Sequence, residues 1–533
     1  MRSVDTPGIP DALPPERETF VDTGNNHTLI RYFMQVSREF KFANNFGLAL
    51  DDDDRGIKGR PAYLNTLFVP PHLVSRHYLP EQLIEAEHTP EAREWKTPSP
   101  VLAEHPRWFI LGDPGSGKTT LIQWLMLNFT SSGDTQPKNM MGPLVPFALI
   151  LRELDLSGAN DWEDIWQIFL AQGGELTESL RSDPKTIEQV LESGQGLFLI
   201  DGLDEITEPK TRATLGQAVL RAMHQYPRCR FIITSRLVGF SQQEWFGQTI
   251  DNVDYDNTEQ AEFDAQDVSL RQAGSWQGLP VDYLAPFDQR QVQSFSHHWF
   301  RHYIEDEKDR LAQSVALGKS LHAHKDLDRL ARIPMLLNMI CFIYIRRGGR
   351  LPDGRAELYE SIAETYLTSL DRARGVKFHG REMNFDYLDL SEWLGELALR
   401  MQERRTANNS AILLPETEVR DFLHGKLIDR GFEQVQANEE AIFILGYLSQ
   451  RSGLLIPRGK VNDEEYYAFA HLSFLEYFAA NELKIQATLW PAKDWAALRE
   501  KARQSWWGET IVLLFEQLDN SRLVTQMLRQ FVG

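Results

Sequence analysis

The sequence predicts an α/β domain with a parallel sheet, followed by an all-helical domain and then a winged-helix domain. Three observations indicate this order. Short apolar stretches alternate with helical patterns between residues 107 and 285, helical periodicity dominates 286–380, and a hairpin pattern follows several helices within 381–484. Strands that alternate with helices form parallel βαβ units with a buried sheet.

The α/β domain is predicted from four apolar stretches of strand length. These are Trp108–Leu111, Val145–Leu151, Leu197–Ile200 and Arg230–Thr234. Thr119–Phe129 is a predicted helix, because its apolar residues recur at helical spacing.

The winged-helix prediction depends on three helical patterns and one hairpin pattern. The helical patterns are 386–404, Val419–Leu423 and Ala441–Leu448, and the hairpin joins Gly453–Pro457 to Tyr466–Phe469 across the polar stretch Arg458–Glu465. Residues 485–533 are expected to form a short helical C-terminal region.

The N-terminal hundred residues carry weaker signals. Residues 1–75 form a region of unknown role, which we expect to be irregular up to residue 60 and extended over Tyr63–Val69. Residues 76–106 are expected to be a linker, because 80–106 is rich in Glu and Pro.

Composition restricts the possible functions. The formal net charge of −20 opposes strong sequence-independent binding to DNA, since phosphates require a basic surface, and leaves a local basic patch as the alternative. Two cysteines without metal-like spacing, and an N-terminus without a signal-peptide pattern, favour a reduced, cytoplasmic setting. The longest apolar run, Met335–Ile345, is far shorter than the roughly 20 residues of a membrane span.

A glycine-rich loop follows the first strand of the α/β domain and opens its first helix. Its predicted nucleotide-binding residues are Gly112, Asp113, Pro114, Gly115, Ser116, Gly117, Lys118, Thr119 and Thr120. Residues 112–119 match G-x-x-x-x-G-K-[ST], in which glycines let backbone N–H groups surround phosphates. Lys118 is expected to reach the β- and γ-phosphates, and Thr119 to bind Mg²⁺. The alternative is a chance glycine turn, but the strand and helix around the loop favour a P-loop NTPase that binds ATP or ADP with Mg²⁺.

An acidic cluster follows the predicted strand Leu197–Ile200. Asp201 lies at the strand's carboxyl end, where ligands bind in open α/β folds, and is expected to hold Mg²⁺ through water. Asp204 is the first candidate for the base that polarises the attacking water, and Glu205 is the other candidate. Without the upstream glycine loop, this pattern would be only an acidic strand end.

The strand Arg230–Thr234 leads to another candidate at the same sheet edge. Arg236 could contact the γ-phosphate and report its presence. The alternative is a surface arginine after a Thr/Ser helix cap.

These motifs together resemble the NACHT family of STAND signalling NTPases. The resemblance depends on Gly112–Thr119, on Asp201-Gly202-Leu203-Asp204-Glu205 and on Thr234-Ser235-Arg236. Two downstream segments are also similar to family motifs, Ala331–Leu337 in the helical domain and Phe469–Ala480 in the winged helix.

The resemblance implies roles for two downstream residues. Pro334 would contact the base and His471 would touch the β-phosphate of ADP in a resting state. The alternatives are a proline that only bends a helix and a histidine buried in a core.

The resemblance further implies a switch that ADP closes and ATP opens, that self-associates on activation and that hydrolyses ATP slowly to reset. It indicates bacterial antiviral defence, with an unknown trigger such as a phage protein or nucleic acid and an effector encoded separately. Many family members carry an N-terminal effector and a long C-terminal repeat sensor, and neither is evident here.

Two other functions compete with the switch. An AAA-type remodelling ATPase would need an arginine finger acting in trans and steady ATP turnover. A winged-helix transcription regulator would need a basic recognition helix, but Ala437–Gln450 contains no Lys or Arg.

Overall fold

The computed structural model describes most of the chain in separate stretches. These are residues 22, 26–43, 61–75, 95–113, 115–133, 135–156, 158–203, 209–235, 280–368, 384–405, 413–451, 454–461, 464–469, 472–487, 492–518, 525, 528–529 and 531. They fall into two compact units. The first unit takes the described residues up to 43, from 61 to 302, and 332–335, and the second takes 303–331 and those from 336 onward.

The first unit is built on a six-stranded sheet. Its strands are β1 (Leu73–Val74), β2 (Arg107–Leu111), β3 (Val145–Ile150), β4 (Gly196–Asp201), β5 (Arg230–Ser235) and β6 (Val281–Leu284). The strand order is β1-β6-β2-β5-β4-β3, and only β1 is antiparallel to its neighbour. All residues of β2 to β5 are buried, as expected for a parallel sheet covered on both faces. The four predicted strands are confirmed.

Strand register brings the predicted site residues to one edge of this sheet. Leu111, the last residue of β2, pairs with Ser235 of β5, and Ile200 of β4 pairs with Ile233 of β5. Because parallel strands end at the same edge, the loop after β2 and Asp201 lie beside each other.

Ten helices belong to the described part of the first unit. They are α1 (His27–Phe40), α2 (Leu64–Leu67), α3 (Pro98–Glu104), α4 (Lys118–Thr130), α5 (Gln136–Met141), α6 (Trp162–Gln172), α7 (Gly174–Ser182), α8 (Pro184–Ser193), α9 (Pro209–Gln225) and α10 (Gln289–Tyr303, whose last residue belongs to the second unit). Helix α4 confirms the helix predicted after the glycine loop.

The N-terminal region contains a helix where irregular structure was predicted. Helix α1 buries Leu29, Tyr32 and Val36 at helical spacing against the core of the first unit. The Tyr32 hydroxyl donates a hydrogen bond to the Pro146 carbonyl at 2.7 Å. The prediction for this stretch was wrong, because the helix lies between segments without clear patterns.

A shorter prediction in this region was also wrong. The stretch predicted as extended contains α2, in which Leu64 and Leu67 turn to the same buried side. Within the described residues 95–106 of the predicted linker, α3 begins at Pro98, because proline's fixed φ suits the first helical position. The linker assignment itself stays a prediction.

The second unit joins a helical region to a winged helix. Its helices are α11 (Glu307–Ala323), α12 (Lys325–Ala331), α13 (Pro334–Arg346, whose first two residues belong to the first unit), α14 (Arg355–Thr368), α15 (Tyr387–Glu403), α16 (Glu416–Asp429), α17 (Gln434–Gly446), α18 (Leu472–Ala487), α19 (Ala492–Ala502) and α20 (Gly508–Glu516). Three antiparallel strands, β7 (Leu414–Pro415), β8 (Leu455–Val461) and β9 (Glu464–Phe469), form a sheet in the order β7-β9-β8.

The predicted hairpin is confirmed as β8 and β9, whose strands extend into the polar stretch that was expected to separate them. The helices α15 to α17 before it complete the predicted winged helix. After α18, the chain continues as α19 and α20, in agreement with the expected helical C-terminal region. Among the described residues, no helix is both long and apolar enough to cross a bilayer.

Candidate nucleotide-binding site

The loop between β2 and α4 is closed so tightly that glycine is required at several positions. A Cβ atom on Gly112 would lie 2.6 Å from the Ser116 Oγ, and Gly115 and Gly117 have φ angles of 76° and 96°. Only glycine adopts such angles at little cost. The Gly112 N–H donates a hydrogen bond to the Ser235 carbonyl at 3.2 Å, which ties the loop to the end of β5.

The loop ends at an uncapped helix N-terminus. Gly117 is the N-cap of α4 and has no side chain that could accept a bond from the first turn. The first N–H groups of a helix have no intrahelical partners and attract anions. Thr119 and Thr120 lie in this turn, with the Thr120 side chain exposed.

Ser116 shows how the residues of this loop fit a phosphate ligand. Its side-chain oxygen is buried and has no hydrogen-bond partner among the described residues. A buried hydroxyl without a partner costs free energy, unless a ligand or water supplies one. A phosphate oxygen held by the loop would provide an acceptor.

The Lys118 side chain folds over the loop that precedes it. Its Nζ donates hydrogen bonds to the carbonyls of Gly112 at 2.6 Å and Asp113 at 3.0 Å. The positive charge is therefore held beside the loop, where the β- and γ-phosphates of a nucleotide are expected.

Thr119 and Asp201 meet at the base of the loop. The Thr119 hydroxyl donates to Asp201 Oδ2 at 2.6 Å, and the Asp201 side chain is only 2 % exposed. On its other side, Asp201 Oδ1 accepts a hydrogen bond from the Thr234 hydroxyl, which itself accepts one from the Gly202 N–H at 3.2 Å. Mg²⁺ prefers oxygen ligands of this kind, so the residues fit the predicted cation.

The segment that leads into α13, together with the first residues of that helix, packs against the same loop. The Met335 N–H donates to the Gly115 carbonyl at 3.3 Å, and a Cβ on Gly115 would lie 3.2 Å from atoms of Ile333 and Met335. The buried Arg332 anchors this segment through the Phe287 carbonyl and the Gln289 side chain. Pro334, at the start of α13, is thereby held near the loop, and its contact with a base stays a prediction.

Five predicted site residues lie outside the described residues. They are Pro114, Asp204, Glu205, Arg236 and His471. Their roles stay predictions.

Thr234 is the site residue whose contact sequence reasoning missed. In the sequence it is the first residue of the Thr234-Ser235-Arg236 motif, in which only Arg236 was assigned a role. A polar residue near the end of a buried strand, two positions before that arginine, was the available signal.

A parallel sheet, a glycine loop at its carboxyl edge and a threonine–aspartate pair below the loop define a P-loop NTPase. Comparison with protein families narrows the class. The NACHT domain matches residues 107–255, and the winged helix-turn-helix domain C-terminal to NACHT matches 355–483. The chain thus carries a NACHT domain with its C-terminal winged-helix domain, the domain pair of a STAND NTPase.

The solved structures that match this chain come from several organisms. The ORC2 protein of Aeropyrum pernix, in its ADPNP–ADP complexes, is 13 % identical over 72 % of this chain and 89 % of its own, with a TM-score of 0.28. CDC6P of Pyrobaculum aerophilum is 13 % identical over 72 % and 88 %, with a TM-score of 0.24. The S. cerevisiae Hsp104–ADP complex is 12 % identical over 80 % and 45 %, with a TM-score of 0.25. No curated protein sequence matches the chain.

Proposed function

We propose that this protein is a nucleotide-gated signalling switch, closed with ADP and open with ATP, that self-associates when open. The observation that carries the proposal is the hydrogen bond between Thr119 and Asp201, next to the glycine loop at the sheet edge. Both residues lie within the range that matches the NACHT domain. Slow ATP hydrolysis would return the open form to the closed one.

The loop residues supply the binding part of this function. Backbone N–H groups at the start of α4 and the Lys118 ammonium would hold the β- and γ-phosphates. Thr119 would bind Mg²⁺ directly and Asp201 would hold it through water, and the cation would neutralise phosphate charge. Asp204, or else Glu205, would orient the attacking water, and Arg236 would contact the γ-phosphate.

The switching part needs a difference in binding between two states. Converting a population from nearly all closed to nearly all open needs about 5.5 kcal/mol of differential binding. We propose that Pro334 contacts the base, that His471 contacts the β-phosphate of ADP, and that nucleotide exchange and a trigger supply this free energy together.

We propose a bacterial antiviral setting in the cytoplasm, on the strength of the family resemblance. The trigger would be a phage protein or a nucleic acid, and a separately encoded effector would carry out the response. Deletion of the gene from its natural host should lower resistance to phage, and unchanged resistance to a broad phage panel would count against this setting.

Two measurements test the switch. The first identifies the nucleotide that co-purifies with the protein, and the second determines the mass of the protein in solution with each nucleotide. We expect tightly held ADP, a monomer with ADP, a larger species with a non-hydrolysable ATP analogue and the trigger, and slow turnover. Rapid steady turnover by protein purified without bound ADP would favour a remodelling ATPase instead.

A pair of variants tests the proposed contact between His471 and the β-phosphate of ADP. His471→Ala should release ADP faster, and His424→Ala, on helix α16, should not. An ADP release rate that is equal in the two variants would remove His471 from the switch.

A further inference from the structure

We propose that Thr234 is a positioning residue, which holds the Asp201 carboxylate in the orientation that binds the cation of a Mg²⁺–nucleotide complex. This inference rests on the proposed nucleotide function. It gives a role to a side chain that is fully buried in the first unit, one residue before the end of β5.

The direction of each hydrogen bond around Thr234 is fixed by chemistry. The Thr234 hydroxyl has one hydrogen, which it donates to Asp201 Oδ1. The Gly202 N–H can only donate, so it occupies a lone pair of the same hydroxyl oxygen at 3.2 Å. The hydroxyl is therefore engaged on both sides and cannot turn away.

Thr119 holds the other carboxylate oxygen in a complementary way. It donates its only hydrogen to Asp201 Oδ2, which leaves its lone pairs directed away from Asp201. A cation would be coordinated through those lone pairs. The geometry thus depends on Asp201 presenting Oδ2 to Thr119.

Asp201 would not keep this orientation by itself. The terminal torsion of an aspartate has a broad energy profile, so a carboxylate held at one oxygen can rotate. Thr234 supplies the second point of attachment from a β-branched side chain with a stiff χ1. Residues that orient a metal-binding group through a hydrogen bond commonly change metal affinity by about 10- to 100-fold when they are mutated.

Thr234 also fixes the start of the acidic loop. Gly202 follows Asp201 directly and has a φ angle of 84°, a conformation that few other residues adopt. The hydrogen bond from its N–H to Thr234 holds this turn against β5. One hydroxyl therefore orients both the cation-binding carboxylate and the backbone that leads towards Asp204.

The experiment compares Thr234→Val and Thr234→Ser with Thr177→Val as a matched control. Thr177 is also fully buried in the first unit, and its hydroxyl donates to the Leu170 carbonyl at 2.7 Å. Each protein, stripped of nucleotide, receives Mg²⁺ in the presence of a fluorescent ATP analogue. Binding of ADP without Mg²⁺ and the thermal unfolding midpoint are measured in parallel.

We expect Thr234→Val to weaken the apparent Mg²⁺ affinity by roughly 10- to 100-fold while ADP binding without Mg²⁺ persists. Thr234→Ser, which keeps the hydroxyl, should restore most of the Mg²⁺ affinity, and Thr177→Val should retain it.

Three results would overturn the inference. They are a Mg²⁺ affinity in Thr234→Val equal to that of the wild type, an equal loss in Thr177→Val, and a parallel loss of ADP binding without Mg²⁺. If Thr234→Val does not fold, a Thr234→Ser protein that folds but has lost Mg²⁺ affinity contradicts the proposal. If the wild-type protein binds no nucleotide at all, the proposed function fails as well. Failure of the Thr234 inference alone is distinguishable from this, because the wild type would then still bind nucleotide.

Discussion

The Thr119 hydroxyl in the first unit donates its only hydrogen to Asp201, so its lone pairs remain available to a ligand. In the second unit, by contrast, Arg355 donates hydrogen bonds to two carboxylates of the protein. Its Nη1 lies 2.7 Å from Glu509 Oε1 and its Nε lies 2.9 Å from Glu516 Oε1. We call the Thr119–Asp201 pair the first cluster and the Arg355–Glu509–Glu516 group the second. The first lies beside a loop whose buried Ser116 hydroxyl has no partner among the described residues, whereas the Nε and Nη1 donors of Arg355 are both paired with carboxylates.

The second cluster continues around a buried glutamate. Arg405 Nη1 lies 2.9 Å from Glu476 Oε1, and the Glu476 side chain is 9 % exposed. Burial raises the pKa of Glu476 to about 7, although Arg405 acts in the opposite direction. Glu476 lies on α18 and Glu509 and Glu516 on α20, so charge pairs tie the C-terminal helix region to the rest of the unit.

The difference in hydrogen bonding indicates that the first cluster is a ligand site and that the second is a structural contact. The charges of the second cluster are paired within the protein, so mutations there should change stability. Mutations in the first cluster should change nucleotide binding and leave stability largely intact, because the loop and helix N-terminus are built for a partner that is not part of the chain.

The largest expected effect is the loss of nucleotide binding in Lys118→Ala. This change removes the positive charge held beside the loop, and hydrogen bonds to charged groups contribute about 1.5–3 kcal/mol each. We expect no detectable ATP binding by calorimetry and little change in the thermal midpoint. Lys185→Ala, an exposed lysine in the same unit, is the control and should bind normally. Retained ATP affinity in Lys118→Ala would contradict the assignment of the loop.

The next effect is a change in the pH dependence of stability at Glu476. Its pKa is raised from 4.5 to about 7 in the folded state, so the folded state binds more protons between these values. The free energy of unfolding should therefore fall as pH rises through this range, by up to about 3 kcal/mol from this group. Glu476→Gln should remove that part of the pH dependence.

The measurement for Glu476 is urea unfolding followed by tryptophan fluorescence at several pH values between 5 and 8. Glu439→Gln, at an exposed position on α17, is the control and should follow the wild type. Identical pH profiles for Glu476→Gln and the wild type would show that Glu476 does not resist ionisation.

The smallest expected effect concerns α1, which belongs to neither cluster. Tyr32→Phe removes the hydroxyl that donates to the Pro146 carbonyl and should lower the free energy of unfolding by about 1 kcal/mol. Chemical denaturation measures this loss, and Tyr63→Phe, a 54 % exposed tyrosine, should cause none. Equal stability of both variants would show that the Tyr32–Pro146 hydrogen bond does not stabilise the fold.

The sequence predicted the strands that carry the site because their signals are local. Trp108–Leu111 and Leu197–Ile200 are apolar runs that end in a glycine loop or an aspartate, and parallel strands end at one edge of a sheet. The Thr119–Asp201 contact follows from that geometry. The hairpin of the winged helix was equally accessible, because two strand patterns flank one polar stretch.

The missed features depend on distant partners. Strand β6 lies within the predicted α/β domain and pairs with β2. It contains Asp282, whose carboxylate interrupts the apolar run and accepts a hydrogen bond from the Trp108 side chain at 2.9 Å. The Thr234 contact depends on the register between β5 and β4, which no local pattern specifies. Helix α1 was missed although its period was present, because it lies between segments without clear patterns.

Calorimetric titration of nucleotide-free protein with ATP, with and without Mg²⁺, tests the central claim most directly when wild type and Asp201→Asn are compared. The account predicts that the wild type binds ATP with measurable heat and with higher affinity when Mg²⁺ is present. Asp201→Asn should bind ATP without that gain in affinity. Absence of heat with any nucleoside triphosphate, or an equal gain from Mg²⁺ in both proteins, would contradict it.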